Sequence, residues 1–165
     1  MAMEIIKMPR MDRSEYDRLI EEEHICRIAF KGESHPYIAP FLYVFDGQHM
    51  YFLSTRYGKK QEYFSKDPYV SVEVERYAKD LSQFSFVTLP GSLAQVEDAS
   101  EKLRVRQMFV DLIKGRNISQ NILSALGHLP GEPVEALLDE GKTSVWKLVR
   151  VKEIIGLKAL SGHDS

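Results

Sequence analysis

The sequence predicts a mainly β fold: an antiparallel barrel with helices appended at its ends and along one side. Three observations carry this. Runs rich in branched and aromatic residues recur between turn signals along most of the chain. Two of these runs are joined by Asp46-Gly47, a strong hairpin signal. Helical periodicity is confined to a few short segments, the clearest of which carry their own start signals.

The elements follow in order. Asp12-Arg13-Ser14-Glu15 has the form of a capping box, and Tyr16, Leu19 and Ile20 continue as a helical stripe, so 12–23 is predicted helical. Residues 25–31 read as a strand, broken by Gly32-Glu33-Ser34. Residues 36–45 and 48–54 form the hairpin. A two-residue turn at Asp46-Gly47 sets Phe45 opposite Gln48, Tyr43 opposite Met50, Phe41 opposite Phe52 and Ala39 opposite Ser54. The other face carries Pro40, Leu42, Val44, His49, Tyr51 and Leu53. Both faces are largely apolar, whereas a half-exposed hairpin alternates with polar residues. Both therefore need cover: a barrel interior on one side, a second subunit or a flat ligand on the other.

A short helix is predicted over 57–66, stopped by Asp67-Pro68. Residues 69–76 alternate as a half-exposed strand. Residues 83–97 form a longer β run with a bend expected at Pro90-Gly91. Asp98-Ala99-Ser100-Glu101 is a second capping box, followed by Val105, Met108, Phe109 and Leu112 at helical spacing, with Gly115 ending the helix. Residues 118–126 and 134–139 read as further helical pieces around the loop His128–Pro133. Closing strands are predicted at 143–151 and 153–157. No repeat or linker divides the chain, so 1–165 is one domain.

Composition narrows the function. Hydrophobic residues are 44% and charged residues 28%, as in soluble globular proteins. A net charge of −2 gives no general affinity for nucleic acid. No apolar run approaches the roughly 20 residues that span a bilayer, and the N-terminal stretch lacks an apolar signal core. One cysteine, Cys26, allows no internal disulfide; it reads as buried packing in a cytoplasmic protein. The five histidines, at 24, 35, 49, 128 and 163, show no metal-ligand spacing, so no metal is expected. Lys102, Arg104 and Arg106 read as a solvated helix face. No nucleophile or acid/base constellation is evident, and catalytic residues are not assigned.

The chemistry concentrates in Tyr51–Phe64, YFLSTRYGKKQEYF. Lys59 and Lys60 fall in the first turn of a predicted helix, where cations oppose the helix dipole at a cost of about 0.3–1 kcal/mol. A phosphate there reverses the sign, accepting free backbone N–H groups and pairing with the ammonium groups. Ser54 and Thr55 add hydroxyls at the strand end, and Gly58 lets the backbone come close. A phosphate site beside an apolar hairpin suits a flat ring with a phosphate tail.

The segment Ile25–Val74 resembles the flavin-binding split-barrel superfamily, in the branch related to pyridoxamine 5′-phosphate oxidase that includes nitroimidazole-resistance proteins. The residues that carry the resemblance are Pro36 and Pro40, Asp46-Gly47, Tyr51-Phe52-Leu53-Ser54, Gly58-Lys59-Lys60 and Asp67-Pro68-Tyr69-Val70, then the run Ser85–Asp98 with Gly91. The resemblance implies a six-stranded antiparallel split barrel and a homodimer holding FMN between subunits. It implies that Lys60 binds the FMN phosphate with Lys59 or Arg56 assisting. Ser54 and Thr55 would meet phosphate or ribityl oxygens, backbone around Ala39, Phe41 and Leu42 the ring edge, and Trp146 would pack near the ring. It further implies an oxidoreductase that passes electrons from a donor such as NAD(P)H to a small-molecule acceptor. The alternative is a non-catalytic binder of FMN, deazaflavin F420 or haem, with His49 or His128 as axial ligand. Leu53 stands where some nitroimidazole-resistance relatives carry histidine. The C-terminus, Lys158–Ser165, lacks an arginine-bearing tail, so pyridoxamine phosphate oxidase activity itself is not expected.

Overall fold

A computed structural model describes residues 3–160. The first helix, α1 (Arg13–Glu22), starts where expected: the Asp12 carboxylate accepts from the Glu15 N–H, and the Glu15 side chain accepts from the Asp12 N–H. The strands are β1 (Ile25–Phe30), β2 (Tyr37–Phe45), β3 (Met50–Thr55), β4 (Tyr69–Tyr77), β5 (Phe84–Gln95), β6 (Thr143–Val149) and β7 (Ile155–Lys158). Helix α2 (Lys59–Lys66) lies between β3 and β4, and α3 (Ala99–Gly115) follows β5. Two 3₁₀ helices, Gln120–Leu126 and Val134–Leu138, stand where helical pieces were predicted.

All pairings are antiparallel in the order β4-β1-β2-β3-β6-β5, and β4 also pairs with β5. That last pairing closes a six-stranded barrel, with β7 added along β5. The barrel interior is filled by Ile28, Phe30, Phe41, Phe52, Val72, Val74, Val87 and Trp146, among others. Among the described residues no helix is long and apolar enough to cross a membrane. The C-terminal tail expectation falls largely on residues outside those described.

Three details differ from the sequence reading. The hairpin loop has four residues, not two: Phe45 pairs with Met50 and Tyr43 with Phe52. The Asp46 carboxylate accepts from the N–H groups of Gln48 and His49 at 2.9 and 2.7 Å, and so stabilises the wider turn. Because the slip is two residues, every side chain keeps its predicted face. Second, β5 runs unbroken through Pro90, which pairs with Ser71. Third, Arg106 is buried, not solvated. Its guanidinium donates to the Leu137 carbonyl, the Thr143 hydroxyl and the Thr143 carbonyl at 2.7–3.0 Å, tying α3 to the second 3₁₀ helix and β6.

The cover of the hairpin's second face is also corrected. Leu42, Val44, Tyr51, Leu53 and Val145 pack against Val105, Phe109 and Ile113 of α3 and Leu123, Leu126 and Leu137 of the 3₁₀ helices. The chain itself covers this face, not a second subunit or a flat ligand.

Cys26 points into the barrel at 1% exposure, and burial raises its thiol pKa well above the ordinary range. It is expected to resist an aromatic disulfide reagent in the native state and to react as urea unfolds the protein. Rapid stoichiometric labelling without unfolding would contradict this placement.

Candidate functional site

The β2–β3 ladder holds only three pairs, Phe45–Met50, Val44–Tyr51 and Tyr43–Phe52. Beyond Tyr43 the strands part. β3 continues against β6 through Leu53–Val145, Ser54–Ser144 and Thr55–Thr143, while β2 stays with β1 from Leu42 back to Tyr37. The edge of β2 over Ala39–Leu42 thus has no strand partner on the β3 side, and unpaired backbone donors and acceptors seek another partner. Ala39, Phe41 and Leu42 turn buried side chains away from solvent, at 5–6% exposure, while Ile38 at 62% and Pro40 are exposed between them.

Helix α2 starts beside this split. Gly58 is its N-cap with φ of +96°, a conformation that glycine adopts without strain. No side chain caps the helix start. Its first-turn N–H groups therefore lack the protein acceptor that a serine or aspartate would supply. Lys59 is exposed and Lys60 half-buried, and neither has a carboxylate partner among the described residues. The Lys60 ammonium lies 4.9 Å from the centre of the Phe41 ring. Burial alone pushes its pKa below the usual lysine range. A half-buried cation in the first turn of an uncapped helix is unfavourable on two counts, and an anion relieves both.

Other expected contributors are placed less directly. Arg56 is exposed and donates to the Glu140 carbonyl at 2.7 Å. The Ser54 hydroxyl is fully buried and donates to the Thr55 carbonyl at 3.3 Å; the Thr55 hydroxyl donates to the Tyr57 carbonyl at 3.4 Å. Both hydroxyls are committed to the turn that leads into α2.

Trp146 does not reach the site surface. It is fully buried in the barrel, its ring 4.6 Å from Phe64 of α2 and 6.1 Å from Phe41. It therefore has no surface to offer a ligand; it supports the floor on which α2 and Phe41 rest. Its indole Nε1 has no hydrogen-bond partner.

The sequence reading passed over Tyr37 and Tyr63, whose rings pack 5.5 Å apart at 54°. With Glu33, Ser34, His35 and Lys59 they line a hollow of about 280 Å³ at the head of α2. Tyr63 lies three residues after Lys60, on the same helix face, and that spacing was the available signal.

The histidines considered as axial ligands are not at the split. His49 precedes β3 at its far end, and the His128 side chain is enclosed, with Nδ1 3.3 Å from Glu132 Oε2. Among the described residues no cluster of three or more histidine, cysteine or acidic side chains could hold a metal ion.

A family model described as pyridoxamine 5′-phosphate oxidase matches residues 12–141. No curated protein sequence matches the chain significantly. Solved structures share the fold at low identity. A FAD-binding protein from Mesorhizobium loti is 20% identical, with 94% of this chain and 100% of that chain covered and a TM-score of 0.67. A conserved hypothetical protein from Mycobacterium tuberculosis is 15% identical, with 99% and 100% covered and a TM-score of 0.70. The haem storage protein HutZ from Vibrio cholerae is 16% identical, with 88% and 94% covered and a TM-score of 0.61.

Proposed function

The chain belongs to the pyridoxamine 5′-phosphate oxidase family, whose model matches residues 12–141, and on that premise we propose that it binds a flavin through its phosphate, FMN being the smallest form that uses every feature of the site. The observation that carries this is the pairing of two unmet needs at one place: a half-buried, carboxylate-free Lys60 on an uncapped helix start, and an unpaired β2 edge beside it. Lys60 and Lys59 neutralise the phosphate, and the first N–H groups of α2 donate to its oxygens. Gly58 keeps the approach clear. Arg56 assists if it leaves the Glu140 carbonyl. The Ala39–Leu42 backbone offers N–H and C=O groups to the polar edge of the ring. A FAD-binding protein shares this fold, and so does a haem storage protein. The haem reading lacks a histidine at the split, so the flavin reading is favoured.

Bound flavin supplies electron transfer, while the protein binds and orients it. The lack of an acid/base constellation is consistent with such a division. The protein is read as a cytoplasmic oxidoreductase, taking electrons from a donor such as NAD(P)H and passing them to a small molecule. It acts as a homodimer whose partner closes the split over the exposed Ile38 and Pro40. Storage of flavin without turnover is the alternative.

Titration with FMN and with riboflavin tests the reading. Charge-assisted contacts to the phosphate are worth about 1.5–3 kcal/mol each, so FMN is expected to bind on the order of 100-fold more tightly than riboflavin. Equal affinities would remove the phosphate role. Reduction of the bound flavin by NAD(P)H, followed by reoxidation by an acceptor, separates an oxidoreductase from a passive carrier.

A further inference from the structure

The hollow at the head of α2 has no role in the site described so far. It holds about 280 Å³ between Glu33, Ser34, His35, Pro36, Tyr37, Lys59 and Tyr63. That is just below the roughly 300–1,000 Å³ of pockets that hold whole drug-sized ligands, so it suits a single ring system and its sugar. Two features define its chemistry. Tyr37 and Tyr63 are half-buried and tilted against each other at 5.5 Å, presenting aromatic surface rather than closing on it. The polar wall is mixed: Ser34 Oγ lies 2.9 Å from His35 Nδ1, and the Glu33 carboxylate is exposed and held only by Lys66 at 3.4 Å. Aromatic surface with hydrogen-bond acceptors suits a flat heterocycle that carries an amino group. Lys59 belongs both to this hollow and to the helix start that receives the phosphate, with no carboxylate of its own among the described residues. A second phosphate placed at Lys59 would be next to one held by Lys60.

We propose that this hollow takes an adenosine phosphate group alongside the flavin phosphate. The inference rests on the flavin reading above. The group has two possible sources: the adenylate half of the same flavin, as FAD, or a separate adenine nucleotide.

Ligand-free protein is titrated with FMN, FAD and AMP, and FMN-loaded protein with AMP. If the flavin itself carries the group, FAD binds about tenfold or more tighter than FMN, the scale of one base–aromatic stack. Tyr63→Leu then erases that gap and leaves FMN affinity unchanged. If the source is a separate nucleotide, AMP binds FMN-loaded protein and Tyr63→Leu abolishes it. Should Tyr63→Leu also weaken FMN, His35→Ala, which lies in a loop outside α2, replaces it as the variant read. Equal FMN and FAD affinities with no AMP binding overturn the proposal and leave the flavin site intact. A FAD advantage that survives both substitutions also overturns it. Failure of every flavin to bind removes the flavin site as well.

Discussion

Lys60→Ala is expected to weaken FMN binding by about 10- to 100-fold, the loss of one charge-assisted contact to phosphate. The same substitution is expected to leave the ligand-free protein within about 1 kcal/mol of its original stability. The two effects separate because this cation does little for the fold. It sits at the positive end of α2, is pushed by burial toward its neutral form, and has no carboxylate to answer it. Against this stands only its approach to the Phe41 ring. Isothermal titration measures the first effect and urea unfolding the second. An unchanged FMN affinity removes Lys60 from the site. A loss of several kcal/mol in the ligand-free protein would mean that Lys60 is a structural residue.

Trp146→Ala is expected to cost about 3–5 kcal/mol of stability, the range for deleting a large buried aromatic. For a protein of this size, that lowers the melting temperature by about 6–20 °C. The ring is fully enclosed and meets Phe30, Phe41 and Phe64 at centroid distances of 4.6–6.3 Å. Phe64 is the anchor of α2, so the alanine variant is also expected to loosen the helix that presents Lys59 and Lys60. Trp146→Phe retains a ring against Phe64 and removes an indole N–H that has no acceptor. It is expected to be much milder and to hold FMN within about twofold of the original affinity. A phenylalanine variant that is fully stable but blind to FMN would make Trp146 a ligand contact after all. An alanine variant of unchanged stability would contradict the packing described.

Much of the fold was legible because its signals are local. The Asp12 and Asp98 caps, the β-rich runs and the Gly58-Lys59-Lys60 helix start all depend on residues within one turn of each other. The errors fell where a distant partner decides. Asp46-Gly47 signals a tight turn, but the Asp46 carboxylate holds a four-residue loop open. Arg106 has the spacing of a surface residue, yet three oxygens from the second 3₁₀ helix and β6 make its burial tolerable. Trp146 could not be assigned to core or ligand from one strand alone.

By itself the chain's sequence determined an antiparallel barrel, the faces of its strands, and a cationic, uncapped helix start suited to a phosphate. Those follow from side-chain periodicity and backbone chemistry over a few residues. Only the tertiary structure decided that α3 and the 3₁₀ helices cover the hairpin's second face, that β2 and β3 part after Tyr43, and that Lys60 comes to lie over Phe41 at that split. The physical reason is that burial and strand pairing belong to neighbours far apart in the chain, and a residue's own sequence context does not contain them.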